Sequence, residues 1–155
     1  MARAAAPDCA GRIFALVVAR FYPELAEELV DGAMRALREC KVADDDVSRF
    51  DAPGCFELPL LCRKVIETKR FDAVVALGVV IRGETPHFDF VAGESARGIM
   101  EVALATGTPI GFGVLTTESL VQAQERARRE GGDKGYTTAL AMASLLQELI
   151  RLGSM

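Results

Sequence analysis

Ten consecutive residues, IRGETPHFDF at 81–90, collect groups that are hard to place in a packed core: Arg82, Glu84, Thr85, His87 and Asp89. His87 is the only histidine of the chain. An unperturbed imidazole titrates around pH 6.5, so one set beside a ligand can move protons near neutrality. The same residue could instead cap a helix or hold a structural hydrogen bond. Gly83 permits close backbone approach, and the N–H groups that open a following helix suit a phosphate.

Three other positions could do chemistry, each with a plainer alternative. Phe21 follows an apolar run and can stack on a planar heterocycle, or simply cap the core. Glu57, shortly after Gly54, can accept hydrogen bonds from a polyol or amine; acidic residues are also favoured at helix starts. Arg126, with Arg128 and Arg129, reads as a solvated helix face or as a phosphate ligand.

The elements that must position these residues alternate. Residues 13–19, IFALVVA, form a continuous apolar run of the length of a strand buried on both faces. From Glu24 the spacing turns helical, with Leu25, Leu29, Ala33 and Leu37 on one face and Pro23 suited to the opening. The cycle repeats: a short strand at 47–50, a helical face over Leu58, Leu61, Cys62 and Val65, a strand at 71–81, and a helix through Phe88 and Ile99. A fourth strand is expected at 109–115, a fourth helix from Leu120, and a last helix from about 134 to 152. Strand and helix in alternation predict parallel strands with right-handed crossovers. The expected architecture is an α/β three-layer sandwich, flavodoxin-like, with a four-stranded parallel sheet of order 2-1-3-4 and helices on both faces. Ligands of such sheets gather at the strand carboxyl ends. The segments after each strand, at 20–22, 53–57, 81–89 and 115–117, should therefore line one edge.

Bulk properties narrow the classes. The 155 residues are 50% hydrophobic and 26% charged, which fits one globular domain and excludes disorder. Residues 13–155 read as that domain, behind a flexible N-terminal extension at 1–12. A net charge of -4 argues against a nucleic-acid partner. Four cysteines without a C-x-x-C pair, beside one histidine, provide no metal set and read as reduced thiols. No run approaches a membrane span, and the start lacks the apolar stretch of a secretory signal; a cytoplasmic protein without membrane partners is expected. The final helix carries Leu140, Met142, Leu145, Leu146, Leu149 and Ile150, a wider apolar surface than one buried stripe requires, so its extra face should meet another subunit. Gly107, Gly111 and Gly113 lie before and inside a strand and make no dinucleotide motif. The turn ARFYPEL has neither a flavin-phosphate cradle nor the acidic pair of a phospho-acceptor site.

Taken together, ARF at 19–21, APGCFELP at 52–59, GVVIRGETPHFDFV at 78–91, GFGVLTTES at 111–119, QAQERA at 122–127 and DKG at 133–135 resemble the lumazine synthase family. The likeness runs from about residue 11 to 152. It implies condensation of 5-amino-6-(D-ribitylamino)uracil with 3,4-dihydroxy-2-butanone 4-phosphate, giving 6,7-dimethyl-8-ribityllumazine, phosphate and water, with no cofactor. The resemblance assigns proton transfer to His87 and stacking on the pyrimidine to Phe21. It gives the ribityl chain to Cys55, Phe56 and Glu57, the uracil edge to Val79, Val80 and Ile81, and a place in the pocket wall to Phe112. Glu84, Thr85 and Arg126 correspond to the phosphate site, with Lys134 as a possible addition. It further implies a homo-oligomer, a pentamer or a sixty-subunit shell, in which Phe112 and Arg126 reach the site from the adjacent subunit.

Three positions depart from the family pattern: Tyr22 and Asp133 stand where asparagine is usual, and Cys55 where alanine is. Asp133 is expected to face solvent or to pair with Lys134. Pro7 cannot donate to a strand ladder, which favours a free pentamer over the shell. A module that binds a flavin or lumazine without turnover is the alternative to an enzyme, and intact His87 and Arg126 favour the enzyme.

Overall fold

The computed structural model describes residues 5–153. The first strand, β1 (Phe14–Ala19), is buried at every position, which is why its sequence is apolar without alternation. Pro23 then opens α1 (Pro23–Glu39), with its fixed φ preset for a first helical turn. There follow β2 (Val47–Ala52), α2 (Leu58–Glu67), β3 (Ala73–Ile81), α3 (His87–Thr106), β4 (Ile110–Thr117), α4 (Leu120–Ala127) and α5 (Lys134–Arg151). The sheet is parallel, with the expected order β2-β1-β3-β4.

Side chains alternate across the sheet and build two cores. Phe14, Leu16 and Val18 of β1 pack with Val75 and Leu77 of β3 against Leu29 and Leu37 of α1 and Ala139 and Leu146 of α5. On the other face Ala15 and Val17 meet Val74 and Ala76 under Leu58 and Cys62 of α2 and Ile99 of α3. Both outer strands of the sheet run longer than their sequence implied. β2 continues to Ala52 because it stays in register with β1 to Ala19. β4 continues to Thr117, paired with Ile81, so Thr116 and Thr117 belong to the strand rather than to the turn beyond it.

Within the N-terminal segment, residues 1–4 lie outside the described residues. Cys9 is buried, and its N–H donates to the Cys40 carbonyl at 2.7 Å. The last helix buries Leu146, while Leu145 on its outer side is 42% exposed.

α1 and α5 cross with almost no room between their backbones. A Cβ on Gly135 would lie 1.9 Å from the Leu29 carbonyl oxygen, a contact no side-chain rotation can relieve. Gly135→Ala should therefore lower stability by about 3 kcal/mol or more, since overpacking against backbone forces the helices apart. Urea unfolding of the variant checks this; a midpoint equal to that of the parent protein would show that the crossing has slack.

Candidate functional site

The strand ends are staggered, and the stagger makes a crevice. β1 pairs with β3 only as far as Val18 opposite Leu77, whereas β4 pairs with β3 to Ile81. The last four residues of β3 thus have a strand partner on the β4 side alone. Three of them, Val79, Val80 and Ile81, line a cavity of about 610 Å³. Peptide N–H and C=O groups left open at such an edge are suited to a flat ligand with its own donors and acceptors.

The segments after β1, β2 and β3 supply the other walls. Phe21 stands two residues beyond β1 with 70% of its surface exposed, and Tyr22 meets its ring edge-on at 5.0 Å. A large aromatic this exposed leaves a ring face free for stacking. After β2, a single 3-10 turn at Cys55–Glu57 projects Phe56 and Glu57 outward and Cys55 inward. Gly78 makes the turn possible: a Cβ there would come within 2.6 Å of the Cys55 sulfur. The thiol donates weakly to the Val79 carbonyl at 3.7 Å. A Cβ on Gly54 would lie 3.3 Å from Glu57 Oε2, so the carboxylate is folded back over the turn.

The stretch after β3 forms the lip. Thr85 Oγ1 accepts from the His87 N–H at 3.4 Å, and His87 is the first residue of α3, exposed on the crevice side. Arg82 is already engaged. Its Nε donates to Glu118 at 2.7 Å, its Nη1 lies 3.2 Å from Asp89, and its guanidinium stacks over Phe88 at 4.3 Å. Arg82 thereby ties the β3 and β4 loops together instead of offering a free charge.

Phe21, Cys55, Phe56, Glu57, Val79, Val80, Ile81, Thr85 and His87 are brought together around this crevice. Glu84, Phe112, Arg126 and Lys134 do not line it. Phe112 lies in mid-β4 on the outer strand of the sheet, 37% exposed. Arg126, in the last turn of α4, is exposed and donates to its own helix at the Gln122 carbonyl, 3.3 Å away. The turn after β4 does not reach the crevice either, because the strand continues through Thr117. Asp133 pairs with neither solvent nor Lys134: its carboxylate is held by both Nη atoms of Arg35, at 2.9 and 2.7 Å.

Phe88, Phe90 and Val91 line the crevice without having been singled out by their sequence positions. Phe90 and Val91 follow His87 by three and four residues, so one helix face carries all three. That spacing was the available signal. Among the described residues, Glu57 and His87 are the only charged or titratable ones lining the crevice apart from Tyr22 and the Cys55 thiol. The opening turn of α3 attracts an anion by about 0.3–1 kcal/mol, too little to hold a dianion without a cation. Among the described residues, no group of three or more His, Cys, Asp or Glu side chains could hold a metal ion. No helix among them is long and apolar enough to cross a membrane.

A flavodoxin-like parallel sheet with an aromatic-walled, small-molecule crevice at its carboxyl edge defines the class of protein. The comparisons define it further. Residues 11–149 match the profile of 6,7-dimethyl-8-ribityllumazine synthase. Proteins of that name from Chlorobium phaeobacteroides and Chlorobium phaeovibrioides are each 46% identical to this chain, over 136 residues (88% of both chains) and 132 residues (85% of both chains). One from Chlorobium luteolum is 44% identical over 133 residues, 86% of both chains. The chain belongs to the 6,7-dimethyl-8-ribityllumazine synthase family, transferases of riboflavin biosynthesis.

Burial pushes the Cys55 and Cys62 thiols up to about 12 and that of Cys40 up to about 11, because a thiolate is poorly solvated there. At pH 8 these groups are therefore almost wholly protonated in the folded protein. Iodoacetamide should leave Cys55 and Cys62 unlabelled until denaturant is added. Rapid labelling of Cys55 in the native protein would show that the crevice floor is open to water.

Proposed function

We propose that the crevice binds 5-amino-6-(D-ribitylamino)uracil and condenses it with 3,4-dihydroxy-2-butanone 4-phosphate, forming 6,7-dimethyl-8-ribityllumazine with loss of phosphate and water. The observation that carries this reading is the stagger of β1 and β3. It leaves the backbone of Val80 and Ile81, and that of Val79 apart from a weak contact to the Cys55 thiol, without a β1 partner in the crevice that Phe21 and His87 also line. A uracil edge would hydrogen-bond to that backbone while its ring stacks on Phe21. The ribityl chain would run over the 55–57 turn to the Glu57 carboxylate, which accepts from its hydroxyls.

Chemistry then needs little more than position and proton transfer. The pyrimidine amine adds to the ketone of the butanone and expels water as an imine. Phosphate leaves by elimination, and the ribityl-bearing nitrogen closes the ring with loss of a second water. An amine and a ketone react slowly unaided, so holding them in attack geometry supplies much of the acceleration. His87 takes the proton from the attacking amine and returns it to the departing groups.

The phosphate requires a cation that the crevice wall does not contain. Arg126 supplies it from a neighbouring copy, with Phe112 closing the wall; Glu84, Thr85 and the start of α3 complete the phosphate site, and Lys134 stands near it. Exposed apolar side chains favour such an assembly: Phe90, Met100, Leu104, Phe112, Leu120 and Val121 are all 37% exposed or more. The assembly is a pentamer with one crevice at each junction.

Incubating the protein with both substrates and following lumazine fluorescence tests the activity. Product formation far above the uncatalysed mixture is expected; the uncatalysed rate would leave only a binding protein. His87→Ala should lower turnover roughly 10- to 100-fold with substrate binding largely kept, because proximity survives when proton transfer is lost. Unchanged turnover would remove its role. Arg126→Ala should raise KM for the butanone phosphate about tenfold and leave KM for the pyrimidine nearly unchanged, the loss expected of one charge-assisted phosphate contact. Steady-state kinetics with each substrate varied in turn decides it.

A further inference from the structure

The α4 helix is only eight residues long and buries just Ala123 and Ala127, two methyl groups that hold a helix weakly. Its N-terminal end is secured by Ser119, whose Oγ accepts from the Gln122 N–H at 3.2 Å, and by Gln122 Oε1, which accepts from the Glu118 N–H at 2.8 Å. Arg126 is at the other end. There the chain folds back over the last turn of α4 and is bonded to it through the backbone. The Gly132 N–H donates to Glu125 O at 2.9 Å, and the Asp133 N–H donates to Arg128 O at 3.1 Å. The fit is close: a Cβ on Gly132 would sit 3.0 Å from Arg126 Cα. Residues 125–133 thus move as one body, and what fixes that body to the rest of the molecule fixes Arg126.

Ala127, buried in the core, fixes that body at one point, and Asp133 fixes it at another, at the start of α5. Asp133 adopts the left-handed conformation, φ 46° and ψ 49°, which Asp and Asn tolerate better than other non-glycine residues. Arg35 of α1 holds its side chain through a two-bond fork to both carboxylate oxygens, with the Arg35 and Asp133 side chains 18% and 17% exposed. Arg35 is itself held on its far side by Asp31, whose Oδ2 accepts from Nε at 2.9 Å, and it lies over the Tyr136 ring at 5.6 Å. An ion pair this enclosed is geometrically demanding, and loss of one partner leaves the other charge poorly solvated.

We propose that the Arg35–Asp133 pair is a positioning device for the phosphate-binding arginine: it sets the height and direction of Arg126 at the neighbouring crevice without touching substrate. The inference rests on the reading of Arg126 as a phosphate ligand. It makes the departure at Asp133 functional, since an asparagine there would keep the left-handed turn but give Arg35 no carboxylate fork.

Calorimetry on the assembled protein with two probes, inorganic phosphate and the ribityllumazine product, tests this without relying on turnover. Arg35→Met should weaken phosphate about tenfold and leave ribityllumazine affinity unchanged; Arg35→Lys, which keeps the charge but loses the fork, should weaken it only about threefold. Wild-type phosphate affinity in Arg35→Met, whatever its melting temperature, overturns the proposal. So does equal weakening of both probes, which marks a general structural role. Should Arg35→Met fail to assemble, Arg35→Lys decides the matter: phosphate affinity equal to wild type would overturn the proposal. Arg126→Ala runs in parallel. If it too binds phosphate like the wild type, the phosphate reading itself has failed; if it loses phosphate while Arg35→Met does not, only the positioning role has.

Discussion

The constraint from which the site follows is the unequal length of neighbouring parallel strands. Parallel pairing sends every strand's carboxyl end to one edge, and β3 continues four residues past its last pairing with β1. Had the two strands ended level, the backbone at 78–81 would be consumed by the ladder and no crevice would form. β1 ends where Phe21, Tyr22 and Pro23 turn the chain into α1, and β3 is carried onward by its partner β4. The same stagger makes room for the 3-10 turn at Cys55–Glu57, with Gly78 leaving space for a sulfur beneath it. Aromatic wall, polar backbone edge and imidazole lip are thus consequences of one register.

Charge is what the crevice wall of this chain lacks. Arg82, the nearest candidate cation by sequence, is spent on Glu118 and Asp89, and what remains at the lip is the partial charge of a helix start. α3 leaves much of its apolar surface uncovered in this chain. It is 20 residues long and apolar for much of its length, yet it buries only Ser95 and Ile99. A helix of that composition with so little covered in its own chain has its remaining surface available to a second copy, and Phe112 of the edge strand stands on the same side of the sheet as α3.

Most of the fold was legible because strand and helix periods alternate cleanly. The continuous run at 13–19 and the 3.6-residue spacing after Pro23 each permit one element type, and the order β2-β1-β3-β4 agrees with their alternation. Strand ends were less legible. Asp51 and Ala52 carry no strand propensity of their own and are extended because β1 pairs with them; Thr116 and Thr117 are extended opposite Val80 and Ile81. The candidate crevice was legible as far as motifs reach. Phe21, Glu57, Thr85 and His87 follow strand ends and meet at one edge. Phe90 and Val91 join the crevice through helical spacing from His87, which no strand-end position signals. The partner of Asp133 could not be read from its surroundings, since Arg35 is 98 residues away along the chain.

The central claim is that each working site joins the His87 of one copy to the Arg126 of another. Subunit mixing tests this most directly. His87→Ala and Arg126→Ala proteins are dissociated, combined in equal amounts, reassembled, and assayed at limiting butanone phosphate. Random assembly into shared sites should restore about a quarter of wild-type activity, because one junction in four then receives both intact residues. A mixture no more active than the average of its two parents would mean that both residues act within a single chain, or that Arg126 does not act at this site.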